Sequence, residues 1–244
     1  MKRQLTILAI FLTLFPCASY GQFAEPGDCV YDSERFAWQQ LIVPGALFAV
    51  GVTGVLSPWY VDNINKPVQN AVQGWNVGQR LHFDDYAQFL PVAGFLGIGF
   101  AEESQHSFAE RACMAASAGA SMGIMVYGIK MSGPEKRPDS DAMNSFPSGH
   151  TAMAFMGAEL VRREYGGWWG AGAYLAAGTV AFMRIYNNRH WTNDILAGAG
   201  FGILCADAAF WLLPLERRLF GLERSDSSLA VLPAGCGLSL SCVF

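Results

Sequence analysis

Hydrophobic positions along this chain fall in blocks, and polar residues fill the short connections between them. The first block, Leu5 to Phe15, follows Lys2 and Arg3 and precedes Ala18, Ser19 and Gly21. That layout predicts a signal peptide over residues 1–21, or an N-terminal anchor if it is not cleaved. The block at 41–56, LIVPGALFAVGVTGVL, is short and is interrupted by Pro44 and Gly45. It is expected to lie at a membrane surface or to span poorly. Residues 57–86 are polar and aromatic and predict an exposed or interfacial stretch. Apolar blocks then recur at 87–101, 112–129, 151–161, 168–183 and 195–214. The last holds twenty residues and one charge, Asp207, which is the length of a bilayer crossing. The 112–129 block carries no charge and many small residues, which let membrane helices approach closely.

The pattern predicts an all-α membrane helical bundle. Its expected divisions are 1–21 (leader), 22–84 (exposed or interfacial, with a short apolar helix), 85–214 (catalytic helical domain) and 215–244 (tail). In the tail, two apolar runs flank Pro233-Ala234-Gly235 and suggest a small hairpin.

Composition agrees with a membrane chain, since hydrophobic residues make up 52% and charged residues only 15% of 244. The net charge of −4 and the lack of a basic patch argue against a nucleic-acid partner. Of six cysteines, Cys17 lies in the leader. Cys29, Cys236 and Cys242 fall outside the apolar blocks, while Cys113 and Cys205 fall inside and suit packing. No CxxC spacing points to zinc. Arg111, Arg162 with Arg163, and Arg217 with Arg218 and Arg224 occupy alternate connections. Under the positive-inside bias they mark the cytoplasmic face and place connections 130–150 and 184–194 outside. This parity goes with a cleaved leader and a 41–56 segment that does not cross.

Those outer connections hold the chemistry. In NSFPSGHTAMAF, Pro147 disfavours helix at Phe146 and Ser148 is a good N-cap, so a helix is expected to begin near Gly149. Its first N–H groups form an anion site, Gly149 permits close approach, and His150 sits in the first turn. Upstream, Lys130 and Arg137 are two cations able to converge on one phosphate. Downstream, His190 and Asp194 stand at i and i+4, so a carboxylate can fix an imidazole's tautomer, and Arg184 precedes them. Each piece alone has an ordinary structural explanation as a helix cap or a cationic flank.

Together, Lys130-x6-Arg137-Pro138, Pro147-Ser148-Gly149-His150 and Arg184-x5-His190-x3-Asp194 resemble the tripartite signature of the type 2 phosphatidic acid phosphatase (PAP2) superfamily, over roughly residues 85–214. The resemblance implies a phosphatase that needs no metal or other cofactor. It implies His190 as nucleophile, Asp194 as its orienting group and His150 as general acid and base. Lys130, Arg137, Ser148, Gly149 and Arg184 would bind the phosphate. One departure is Met183, where the family usually has serine before the arginine; altered packing or weaker phosphate orientation is expected there. The run FDDYAQFLP … SFPSGHTAMAF … HWTND resembles exported bacterial lipid phosphatases, among them lipid A 4′-phosphatases. The implied partner is a phosphorylated lipid met at the periplasmic side of a bacterial inner membrane. Undecaprenyl pyrophosphate, phosphatidylglycerol phosphate, phosphatidic acid and a soluble exported acid phosphatase stay open. So does a membrane protein that only binds phosphorylated lipid.

Overall fold

Small residues set how closely the long helices cross. In the computed structural model, residues 35–75, 81–102, 104–222, 229–234 and 237–242 are described. The predicted leader with Cys17, and also Cys29 and Cys236, lie outside them, and no side chain of the tail, Cys242 included, is described. The helices are α1 (Ile42–Leu56, entered through a 3-10 turn at Trp38–Leu41), α2 (Pro58–Tyr60), α3 (Lys66–Gln73), α4 (Phe83–Ala87), α5 (Leu90–Gly97), α6 (Phe108–Met131), α7 (Gly149–Tyr165), α8 (Gly167–Tyr186) and α9 (Thr192–Phe220). In the tail, β1 (Leu229–Ala234) and β2 (Gly237–Cys242) pair antiparallel, from Leu229 opposite Cys242 to Ala234 opposite Gly237. The fold is thus all-α with the expected terminal hairpin.

Buried α7 and α9 form the centre. A Cβ on Gly202 would lie 2.3 Å from the Ala152 carbonyl oxygen, and one on Gly198 would lie 2.5 Å from that of Ser148. These contacts press the backbones of α9 and α7 together as small residues do in membrane bundles. Two apolar clusters flank this seam. One joins Phe95, Met114, Met156 and Phe210 from α5, α6, α7 and α9. The other joins Val72, Phe155, Val180 and Ile195 from α3, α7, α8 and α9.

Among the described residues three helical stretches are long and apolar enough to cross a membrane: Trp38–Leu56, Phe108–Met131 and Thr192–Phe220. The first corrects the reading of 41–56 as too short. The 3-10 turn lengthens the run to 19 residues, and Pro44 near the helix start breaks no helical bond there that it would break in mid-helix. α1 lies antiparallel to α9: Gln40 bonds Trp211 at one end, while a Cβ on Gly54 would meet the Asn193 side chain at the other. The chain returns through α5, where Arg111 donates to the carbonyls of Phe95 and Leu96. If α1 crosses, Trp38 lies at the arginine-bearing end. With a cleaved leader, an outward-facing site requires that α1 not cross.

The predicted exposure of 57–86 is also corrected. Tyr60, Asn65, Val68, Gln69 and Val72 are buried. Val68 and Val72 share one face of α3, and its glutamines cap α8: Gln69 donates to the Ile185 carbonyl, Gln73 to those of Ile185 and Tyr186. The polar residues of this segment cover a helix end. The division drawn between residues 84 and 85 falls inside α4.

At the arginine-bearing end, two ion pairs join neighbouring helices. Asp207, the single charge of the 195–214 block, meets Arg163 at 2.6 Å, and Arg217 meets Glu110 at 2.5 Å. Pairing is how a buried membrane-depth charge is tolerated.

The α7–α9 seam generates a test. Gly202→Ala must push two backbones apart and is expected to cost about 1–3 kcal/mol, despite the better helix propensity of alanine. Gly119→Ala, on α6 where no atom lies within 4 Å of the added methyl, is expected to be neutral or stabilising. Thermal unfolding in detergent checks the contrast; equal midpoints would show that the seam yields.

Candidate active site

The site-forming ends of α6, α7, α8 and α9 lie together, and residues 132–148 run across them. Ser148 is the N-cap of α7, as expected: its Oγ accepts from Thr151 N–H at 3.5 Å and from Thr151 Oγ1–H at 3.0 Å. Its own N–H donates to the Asp194 carbonyl at 3.0 Å, which locks the start of α7 to the start of α9. A Cβ on Gly149 would meet only Val126 Cγ1, at 3.6 Å, so the protein does not crowd that position and its open side is left for a ligand.

His190 and Asp194 stand one turn apart, with His190 2% and Asp194 0% exposed. His190 Nδ1–H donates to Asp194 Oδ2 at 3.2 Å. The same oxygen accepts from Trp191 N–H at 2.9 Å and from Ser145 Oγ–H at 2.5 Å. With Nδ1 protonated, Nε2 carries the free lone pair. Burial, against the opposing pull of Asp194, lowers the His190 pKa to about 4, so the ring is neutral at ordinary pH.

His150 is half-buried, and its Nε2–H donates to Asp85 Oδ1 at 3.0 Å. Asp85 also takes a bond from His82 at 3.2 Å and lies 3.4 Å from Arg184. Its carboxyl is held below its usual range by hydrogen bonds from His82 and His150, which outweigh its desolvation. Arg184 is buried and held by Asp84 at 2.6 Å, and Asp84 in turn accepts from Asn187 at 3.0 Å. The buried Nε of Arg184 has no acceptor among the described residues. Lys130 Nζ donates to the carbonyls of Asn144 (2.6 Å) and Ser145 (3.2 Å), and Arg137 Nε to Asn144 Oδ1 at 2.7 Å. Arg137 is lowered by burial and then by the charges of Arg189 and Arg184. Lys130 and Arg184 act electrostatically on His190, and Arg184 acts on His150.

The structure therefore brings Lys130, Arg137, Arg184, His150, His190 and Asp194 to one cluster beside the start of α7. Ser148 differs in that its fully buried hydroxyl is bonded at the helix cap. Sequence reasoning gave no role to Asp84, Asp85, Glu135 or Ser145. The acidic pair in FDDY beside an apolar block was the available signal for the first two. Glu135 lies between Lys130 and Arg137, and it was passed over because motif spacing draws attention to the cations.

With this geometry in place, comparison with known proteins gives three matches. Residues 101–218 match the PAP2 superfamily. Over 138 residues the chain is 39% identical to the lipid A 1-phosphatase of Porphyromonas gingivalis, covering 54% of this chain and 31% of that protein. The chain thus spans about a third of that relative's length. The crystal structure of Aquifex aeolicus LpxE aligns with a TM-score of 0.48 at 22% identity, covering 60% of this chain and 94% of the other. The match to the PAP2 superfamily over 101–218 contains all three motif segments.

Proposed function

We propose that this protein is a membrane phosphatase that removes a phosphate monoester from a lipid through a phosphohistidine intermediate. The observation that carries the reading is the buried, neutral His190 oriented by Asp194 beside three cations. Nε2 of His190 attacks phosphorus in line, the bond from phosphorus to the lipid oxygen breaks, and His150 gives its proton to that oxygen. Neutral His150 then takes a proton from water as the water attacks the phosphohistidine. Inorganic phosphate leaves and both histidines return to their starting states. Lys130, Arg137, Arg184 and the N–H groups opening α7 hold the phosphoryl oxygens as charge spreads over them. The unpartnered Nε of Arg184 is a donor suited to one of those oxygens. Burial and then the Arg184 charge lower the His150 pKa, and Asp85, bonded to it, opposes them in favour of the imidazolium that a general acid requires.

The substrate we propose is a phosphate of lipid A. The sequence suggested the 4′ position; the name of the Porphyromonas relative favours position 1, and mass spectrometry of the dephosphorylated product separates the two. Three apolar stretches of crossing length support a membrane location. The paired arginines at the far end support a cytoplasmic face there and a periplasmic site.

A leaving-group series tests the division of labour. His190→Ala is expected to be nearly inactive on every substrate. His150→Ala is expected to lose about 10²- to 10⁴-fold on the lipid phosphate, and to regain part of that on an aryl phosphate that departs without a proton. Initial rates on both substrates decide, and rescue of His190→Ala by the better leaving group would reverse the roles.

Orientation is checked with a cysteine at exposed Asp141 in an otherwise cysteine-free variant. An impermeant thiol reagent should label it in intact spheroplasts. Labelling only after lysis would place the site in the cytoplasm.

A further inference from the structure

Asp194 Oδ2 is saturated, accepting from His190, Trp191 and Ser145. Its other oxygen, Oδ1, is fully buried and accepts no bond from any N–H or O–H fixed in place among the described residues. A buried carboxylate oxygen left bare is costly. The group beside Asp194 is another carboxyl, that of Glu135, in mutual hydrogen-bond contact with it. Two carboxyl groups in such contact must hold a proton between them.

The neighbours of Glu135 determine where that proton goes. Thr192 Oγ1–H donates to Asn65 Oδ1, and Asn65 Nδ2 donates to Asn193 Oδ1 at 2.7 Å. The Asn193 amide is thereby fixed with its NH2 outward, and it donates to Glu135 Oε2 at 2.6 Å. Glu135 thus shows an acceptor to Asn193 and has its remaining oxygen for Asp194. Its backbone is anchored as well, because Ser145 N–H donates to the Glu135 carbonyl at 3.0 Å. A single loop segment therefore supplies bonds to both sides of Asp194.

We propose that Glu135 is a neutral carboxylic acid that donates its proton to Asp194 Oδ1, and that it is the positioning residue holding Asp194 toward His190. Desolvation and then the Asp194 charge push its pKa up to about 9, in keeping with a proton retained at neutral pH. The arrangement has two effects. It satisfies the bare oxygen and stops Asp194 from rotating away from Nδ1. It also keeps a second negative charge out of a site that must admit a phosphate. The inference rests on the phosphatase reading for its activity arm alone, since the protonation state is measured independently.

The test uses full-length wild type, Glu135→Gln and Glu135→Ala in detergent at neutral pH, with infrared spectra and phosphate release from lipid A. Glutamine reproduces both bonds, its oxygen toward Asn193 and its NH2 toward Asp194. It is expected to stay within about threefold of wild type, and alanine to fall about 10- to 100-fold. The wild-type-minus-Gln spectrum should show a carboxylic-acid C=O band belonging to Glu135. No such band, a Gln variant as impaired as Ala, or an Ala variant at the wild-type rate would each overturn the proposal. If Ala does not fold, the Gln rate and the spectrum still decide. Wild type that releases no phosphate would defeat the phosphatase reading, while the infrared band would still test the proton.

Discussion

The site depends on burying one carboxylate. Asp194 has no contact with solvent, and an ionised carboxylate in such a place persists only when hydrogen bonds replace its water. Its partners come from two parts of the chain: His190 and Trp191 at the approach to α9, and Ser145 from the 132–148 connection. Its own backbone carbonyl accepts from Ser148 and so holds the start of α7. A single residue thus ties together His190, the start of α7 and the loop between them. The bond that orients the His190 imidazole is also one that folds the site.

A second set of constraints holds the cations. Lys130 and Arg137 spend hydrogen bonds on Asn144 and Ser145, whereas Arg184 is gripped by Asp84. The protein itself holds them in place, as the proposed stabilisation of a developing charge requires. Asp84 and Asp85 sit in one turn of α4 and serve different groups, the buried one fixing Arg184 and the half-exposed one His150. At the far end, ion pairs such as Arg163–Asp207 close the bundle. Ion pairs thus stand at both ends, Arg184 with Asp84 at the site and Arg163 with Asp207 opposite.

Much of this was legible in the sequence, because motif spacing on helices is a geometric statement. His190 and Asp194 at i and i+4, the Ser148 cap and the helix from Gly149 all follow from local rules. The helix limits of α1 were less legible, since Pro44 and Gly45 look like interruptions until the preceding turn is seen to extend the run. The role of 57–74 was hidden for another reason. Gln69 and Gln73 look like solvent-facing residues, and only the fold shows that they cap α8, more than a hundred residues away. Glu135 and Asp85 were missed because an acidic residue near a phosphate site is counterintuitive until its proton or its cationic partner is located.

The central claim is that His190 carries the phosphoryl group. Rapid acid-free quenching of enzyme turning over phosphate-labelled lipid, followed by peptide mass spectrometry under alkaline conditions, tests it directly. The account predicts a phosphorylated histidine at position 190 in wild type, accumulating further in His150→Ala when an aryl phosphate is used, because the second step then lacks its base. Label on His150, or turnover with no phosphohistidine while water oxygen enters the phosphate in a single inverting step, would contradict it.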